Sequence, residues 1–217
     1  MIDLHTHSLL SDGCLLPSEL ARRAQVAGCK AIAITDHVDH SNVDMVITGL
    51  TRVADVLNRY WDIFVIPGVE ITHVPVEVFP ELAAYCRQKG ARVVVGHGES
   101  PVEPVLPGTN RAAIEAGVDI LAHPGFISDA DAAFAAQKGV YLEITARKGH
   151  SETNGHVLDT AMKNGALMVL NTDGHAPDDL LTLEKRAGIL DGLADRDEIK
   201  AGILRNSEDI LDRIRKA

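Results

Sequence analysis

Imidazoles and carboxylates close one short apolar run after another in this chain. The runs read Ile2-Asp3-Leu4-His5-Thr6-His7, Ala31-Ile32-Ala33-Ile34-Thr35-Asp36-His37 and Val65-Ile66-Pro67-Gly68-Val69-Glu70. They continue as Val93-Val94-Val95-Gly96-His97, Asp119-Ile120-Leu121-Ala122-His123 and Leu167-Met168-Val169-Leu170-Asn171-Thr172-Asp173-Gly174-His175. His, Asp and Glu together suit first-row transition ions. If the runs are parallel strands of one barrel, all these ends open on one rim. The pattern then predicts one pocket holding more than one metal ion.

Each motif has its own logic. In His5-Thr6-His7 the two imidazoles lie on the same side of a strand, so both can reach one ion. Asp12, in the turn Ser11-Asp12-Gly13, adds a carboxylate from the loop above. Glu70 ends an apolar run, where a carboxylate is costly to bury without a partner. Bridging two cations would resolve that cost. His97 and His123 stand where Gly98 and Pro124 break the backbone, and Asp173 and His175 are again two apart. Taken singly, each motif is also readable as a surface histidine or a turn cap. Their shared placement at six strand ends favours the metal site.

The elements that must position these residues follow from the spacing. Pro17 to Gly28 begins with Pro and ends with Gly, as helices do. Asp44 to Tyr60 has apolar residues at helical spacing. Further helices are expected over Phe79–Lys89, Asn110–Ala116, Asp129–Lys138 and Gly155–Lys163, with two or three more in 178–217. A seventh apolar run, Val140 to Ile144, carries Glu143. Strand and helix alternating seven times give a parallel sheet with right-handed crossovers. An open sheet would draw ligands from a few strands at its switch point. Here six of the seven runs supply them, so the expected fold is α/β, a distorted (β/α)7 TIM-like barrel in a single domain over 1–217.

Composition sets bounds. Of the 217 residues, 46% are hydrophobic and 24% charged, and the formal net charge is −10. That charge argues against wrapping long nucleic acid or lying on an anionic membrane. A small phosphorylated substrate stays compatible, because bound metal ions reverse the local field. Cys14, Cys29 and Cys86 are sparse and odd in number, as in a reducing compartment. No leader-like segment and no apolar run of membrane length is visible. The expected setting is cytoplasmic; the sequence leaves the oligomeric state open.

The motifs D-L-H-T-H-S with S-D-G, A-I-T-D-H, P-G-V-E, G-H, A-H-P-G and N-T-D-G-H together resemble the polymerase and histidinol phosphatase (PHP) superfamily of metal-dependent phosphoesterases. The resemblance spans Asp3 to His175. It implies a distorted (β/α)7 barrel with three divalent ions, Zn, Mn or Fe, at the C-terminal rim. Carried over by motif, His5, His7, Glu70 and Asp173 would hold the first ion. Asp12, His37 and His175 would hold the second, and Glu70, His97 and His123 the third. The implied reaction is hydrolysis of a phosphate ester by a metal-activated hydroxide, with Glu70, Asp173 and His175 at the chemistry. A small phosphate monoester fits a chain this short, with histidinol phosphate as the leading candidate. The runner-up is a phosphodiesterase or exonuclease on short nucleic acid or nucleotides. An amide or ester hydrolase is a third option, and a non-catalytic metal-binding regulatory module the alternative from another class.

Other residues complete the expectation. Arg147 and Lys148 form a basic cluster past the seventh run's end, placed to bind the substrate phosphate. His40 is expected near the rim as a further substrate contact. Glu143 is expected to orient a ligand histidine. His73, His150 and His156 are given surface or capping roles. Residues 99–111, rich in Pro and Gly, are either a lid or a stiff connection.

Overall fold

The apolar runs become strands and the amphipathic stretches become helices in a computed structural model of the chain, which describes residues 1–216. The strands are β1 (Ile2–Asp3), β2 (Ala31–Ile34), β3 (His37–Val38), β4 (Phe64–Ile71), β5 (Val93–His97), β6 (Ile120–Ala122), β7 (Tyr141–Thr145) and β8 (Met168–Asn171). The helices are α1 (Pro17–Val26), α2 (Val43–Tyr60), α3 (Phe79–Lys89), α4 (Thr109–Glu115), α5 (Asp129–Lys138), α6 (Asn154–Asn164), α7 (Leu183–Leu193) and α8 (Asp197–Lys216). All strand pairs are parallel, in the order β1-β2-β4-β5-β6-β7-β8. Strand β3 also pairs with β4 and continues the line of β2 after a break at Thr35-Asp36. The eight segments thus fill seven strand positions of a nearly closed TIM-like (β/α)7 barrel, as the alternation predicts.

The seam between β8 and β1 has little regular ladder. It closes through a parallel bridge between Thr6 and Gly174, where the His7 amide donates to the Gly174 carbonyl at 2.8 Å. Side chains stitch the rest: the Leu4 amide donates to Asn171 Oδ1 at 2.9 Å, and the Thr172 hydroxyl to Asp3 Oδ2 at 2.5 Å. Burial pushes Asp3 up to about 6, and the hydrogen bonds from Thr172 offset only part of that.

Alternation sorts the apolar residues into two layers. Ala31, Ala33, Ile66, Val93, Val95 and Ile120 fill the barrel interior, whereas Ile32, Ile34, Val65, Val94 and Leu121 face the helices. Helix α8 adds Ile210, Leu211 and Ile214 to the interior layer. Each of those side chains contributes about 1.5–3 kcal/mol by burial. Arg213 of α8 reaches Asp119, just ahead of β6, at 2.7 Å. Helix α8 therefore plugs the mouth where the strands begin, and the mouth where they end is left for chemistry. No helix among the described residues is long and apolar enough to cross a membrane.

Candidate metal centre

Strand parity delivers several ligands directly. Glu70 follows the inward Ile66 by four residues on β4, and His97 follows the inward Val93 and Val95 on β5. His37 has the parity of the inward Ala31 and Ala33. Parity alone would send His123 outward, since Ala122 faces in and Leu121 faces out. A left-handed backbone at His123, φ 27°, redirects it, and its ring comes to 4.6 Å from that of His97. Asp173 is left-handed too, at φ 50°. Such conformations cost of order 1–3 kcal/mol and persist only where the surroundings enforce them. Glycines give the room: a Cβ on Gly98 would collide with the carbonyl oxygen of Ala122, and one on Gly13 with that of His7. Asp36 is no part of the pocket's ligand set; it accepts hydrogen bonds from Ser8 and Ser11 at 2.7 Å and so fixes the turn presenting Asp12.

The nine expected ligands converge. His5 Nε2 lies 3.3 Å from Glu70 Oε2, and His7 Nε2 lies 3.0 Å from both His5 Nε2 and Asp173 Oδ1. Asp12 Oδ1 is 3.2 Å from His175 Nε2 and 3.6 Å from His37 Nε2. Glu70 Oε1 is 3.5 Å from His123 Nε2. Groups with room for an ion are His5-His7-Glu70, His7-Asp12-His37-His175 and Glu70-His97-His123; Asp173 joins His5 and His123 in a fourth, and His97 joins His73 and Glu103 in a fifth. His7 belongs to two groups, with Nε2 toward the first and Nδ1 3.9 Å from Asp12 in the second.

Hydrogen bonds on the far ring nitrogens fix which nitrogen faces inward. His5 Nδ1 meets Glu143 Oε1 at 2.8 Å, His97 Nδ1 donates to the Gly98 carbonyl at 3.0 Å, and His175 Nδ1 donates to the Asp173 carbonyl at 2.8 Å. In all three Nε2 points into the pocket. Glu143 also accepts from the His123 amide at 3.1 Å and from Asn171 Nδ2 at 2.9 Å, tying β1, β6 and β8 together.

The charges are strongly coupled. Burial opposes the charged form of Glu70, but the imidazoles of His5, His37 and His97 outweigh it and hold the carboxyl well below its ordinary range. Burial likewise opposes protonation of His5, yet Glu143, Glu70 and Asp173 raise it well above the usual value. Burial opposes protonation of His37 too, but Glu70, Asp12 and Asp173 together outweigh it and raise it to about 9. Burial, with positive neighbours, keeps His7 and His123 low. Asp173 is pushed up to about 6 by burial, against the lowering effect of His5.

A bound cation suits this arrangement. Glu70 is fully buried, four imidazoles surround it, and neither carboxylate oxygen has a partner in hydrogen-bond alignment. Buried carboxylates are not left so without a reason. Lone pairs aimed at ions, with neutral imidazoles completing the shells, satisfy them.

Not every expected residue joins the pocket. Arg147 does reach the rim, donating from Nη1 to the Asp173 carbonyl at 3.2 Å, with Nε 3.5 Å from Asp173 Oδ2. Lys148 is exposed and forms no ion pair among the described residues. His40 sits on an exposed turn, beside an outer groove lined by Val43, Asp44, Glu81 and Tyr85, so the rim position expected for it is not where the chain puts it. His156 bonds the Ile127 carbonyl at 2.8 Å, a capping role as expected. The surface role expected for His150 is corrected: it is 5% exposed, and its ring lies 4.3 Å from that of His123. Sequence reasoning also passed over Glu103, which lies 3.1 Å from His97 Nε2 and 3.3 Å from His150 Nε2. Hydrogen bonds from His150 and His97 hold its carboxyl far below the ordinary range. The signal for His150 was its place just past β7, where the other strands carry ligands.

Comparison with known proteins completes the description. A family model described as the PHP domain matches residues 3–99. An uncharacterized protein of Methanocaldococcus jannaschii is 45% identical over 216 residues, covering 98% of this chain and 99% of its own length. The DNA polymerase/3'-5' exonuclease PolX of Bacillus subtilis is 27% identical over 195 residues, a match covering 80% of this chain but 34% of that protein. A chain in the cryo-EM structure of archaeal ribonuclease P with mature tRNA superposes with a TM-score of 0.73 at 16% identity, over 99% of this chain and 91% of that one. At that identity the likeness is one of fold.

Proposed function

The chain belongs to the PHP family of metal-dependent phosphoesterases, and from that premise we propose that it hydrolyses a small phosphate monoester, with histidinol phosphate the first candidate. The observation that carries the reading is Glu70: a fully buried carboxylate with no aligned hydrogen-bond partner among four imidazoles, where two ligand groups meet. In this reading residues 1–217 act as one barrel domain in the cytoplasm. His5, His7, Glu70 and Asp173 hold one ion, Asp12, His37 and His175 a second, and Glu70, His97 and His123 a third. Zn, Mn and Fe all suit mixed N/O donors. When bound, the ions would activate water and offset charge on the phosphoryl group.

The protein's own residues do the rest. Glu143 holds His5 by Nδ1, so His5 presents Nε2 without rotating. His37 Nδ1 lies 2.7 Å from the Thr72 hydroxyl and 2.8 Å from Glu70 Oε2, and its Nε2 is turned toward Asp12. Arg147, one-third exposed, extends over Asp173 from the rim. Its guanidinium is the group best placed to take phosphoryl oxygens, with Lys148 adding charge further out.

A second reading has its own support. The exonuclease named in the Bacillus subtilis relative makes a phosphodiester of a short nucleic acid the alternative substrate. The test incubates Mn- or Zn-loaded protein with histidinol phosphate, nucleoside monophosphates and short oligonucleotides, and reads phosphate release from the monoesters and chain length of the oligonucleotides. Turnover of a monoester is expected. Shortening of oligonucleotides with no monoester turnover would transfer the assignment to the second reading. Metal uptake with no turnover of anything would favour a regulatory module.

A further inference from the structure

The turn-rich segment 99–108 carries a carboxylate into the pocket. Glu103 Oε2 lies 3.1 Å from His97 Nε2 and 3.4 Å from His73 Nε2, and Oε1 lies 3.3 Å from His150 Nε2. His97 donates from Nδ1 to the Gly98 carbonyl, so Nε2 is its one available lone pair. His97 groups both with Glu70 and His123 and with His73 and Glu103. Among the nine family-type ligands, imidazoles and carboxylates crowd one another at 2.8–3.9 Å, from His37–Glu70 to His7–Asp12. The Glu103–His97 contact is of the same kind.

The segment is built to hold that position. Glu99 anchors both ends: its amide donates to Asn110 Oδ1, and its Oε1 accepts from the Gly108 and Asn110 amides, each at 2.9 Å. Pro104 follows Glu103 directly and confines its backbone to extended conformations. Val102 packs close to Gly149, at the turn that carries His150. His150 itself is buried, with Nδ1 unpartnered and Nε2 on the carboxylate. It stands to Glu103 as Glu143 stands to His5, a buried group orienting one that faces the pocket.

We propose that Glu103 is a further ligand of the ion held by Glu70, His97 and His123, oriented by His150. This rests on the metal-centre reading above. A separate ion between Glu103 and His73 is disfavoured, because one imidazole lone pair cannot serve two cations and His97 has no second one. Four protein ligands close a tetrahedral shell, the arrangement of structural sites, whereas catalytic ions keep a position open. The ion at His97 would then act mainly to fasten the 99–108 segment over the pocket. The ions at His5 and at Asp12 would face the substrate.

The test starts from protein stripped with a chelator and titrated with Co2+ or Zn2+ in competition with a chromophoric chelator. Glu103→Gln keeps the side chain's shape and removes its charge. It should weaken one of the bound ions about 10–100-fold, at least the loss seen when a supporting partner of a metal ligand is removed. The other ions should keep wild-type affinity, and the metal-free variant should keep the wild-type circular dichroism spectrum. Metal should protect the 99–108 segment from proteolysis in wild type and not in the variant. Unchanged affinities and protection in Glu103→Gln would overturn the proposal while leaving the metal centre intact. So would an additional ion, lost on His73→Gln, since Glu103 would then serve a site of its own. Wild-type protein that takes up no ions would instead remove the metal-centre reading itself.

Discussion

Replacing Glu70 by Gln should do more damage than removing any one histidine of the pocket. The change keeps shape and volume, so packing around the buried side chain is preserved. What it removes is a charge approached by His37 at 2.8 Å, His5 at 3.3 Å, His123 at 3.5 Å and His7 at 3.6 Å. Glu70 belongs to two ligand groups, one with His5 and His7, the other with His97 and His123. Losing a charged contact costs about 1.5–3 kcal/mol, roughly 10- to 150-fold in affinity for each ion. Two ions together lose about 3–6 kcal/mol, provided the effects add. The amide also places an NH2 group where only acceptors are wanted. His97→Ala, by contrast, withdraws one contact from one ion. The assay is elemental analysis after equilibration against a weak chelator, with kcat/KM measured on the same samples. Glu70→Gln should lose the metal of both groups and nearly all activity, and His97→Ala the metal of one. A Glu70→Gln protein with wild-type metal content and turnover would refute the bridging role.

Glu143→Gln should lower metal affinity or activity about 10–100-fold without removing any ligand, because it loosens His5 and the His123 backbone together; unchanged metal binding would mean that His5 needs no support. Gly98→Ala should destabilise the protein by roughly 1–3 kcal/mol, because its Cβ meets the Ala122 carbonyl; denaturant unfolding measures this. Arg147→Ala should lower kcat/KM on a phosphomonoester by about one to two decades while metal affinity holds or rises, since a cation 3.5 Å from Asp173 competes with the ions. Unchanged kinetics there would leave phosphate recognition to the metals alone. Metal uptake at pH 7 should release protons. His37, raised to about 9, and His5, well above its usual value, are protonated in the metal-free protein and must lose those protons to bind. Affinity should therefore fall as pH drops below 9, and calorimetric enthalpies should vary with the ionisation heat of the buffer; buffer-independent enthalpies would count against it.

The ligands and the barrel were legible because both follow from one periodic signal. An apolar run ending in His, Asp or Glu states at once that a strand is buried and that its end is polar, and seven repeats leave few topologies. What was illegible depends on backbone reversals and on loops. Parity from Ala122 places His123 on the outer face, and only the left-handed turn at its own Cα brings it back. His40 lies three residues past His37, but the chain leaves the rim there to start α2, and its side chain ends outside. Glu103 and His150 come from connections whose course is set by anchors such as the bonds between Glu99 and Asn110. Those contacts join residues eleven apart with no periodicity to announce them.

The phosphate substrate proposed above would have to approach an acidic protein, and the pocket offers a way to reverse that field. The formal net charge is −10, and Asp12, Glu70 and Asp173 add three carboxylates at the mouth itself. Without ions, the imidazoles offset this charge: His5 and His37 hold protons because the carboxylates are close. In the proposed reading, exchanging two protons for divalent cations would reverse the balance, since three such ions would bring six positive charges against the three carboxylates. A substrate anion then meets a positive floor, although the rest of the surface repels it. One guanidinium at the rim is enough to orient the phosphoryl group, which fits the single arginine, Arg147, leaning over Asp173. A long polyanion would extend past this small positive area onto the acidic surface and gain little from it. The same field that draws in a small phosphate therefore limits how much of a larger one the protein can hold, and salt should weaken binding of a monoester less than that of an oligonucleotide.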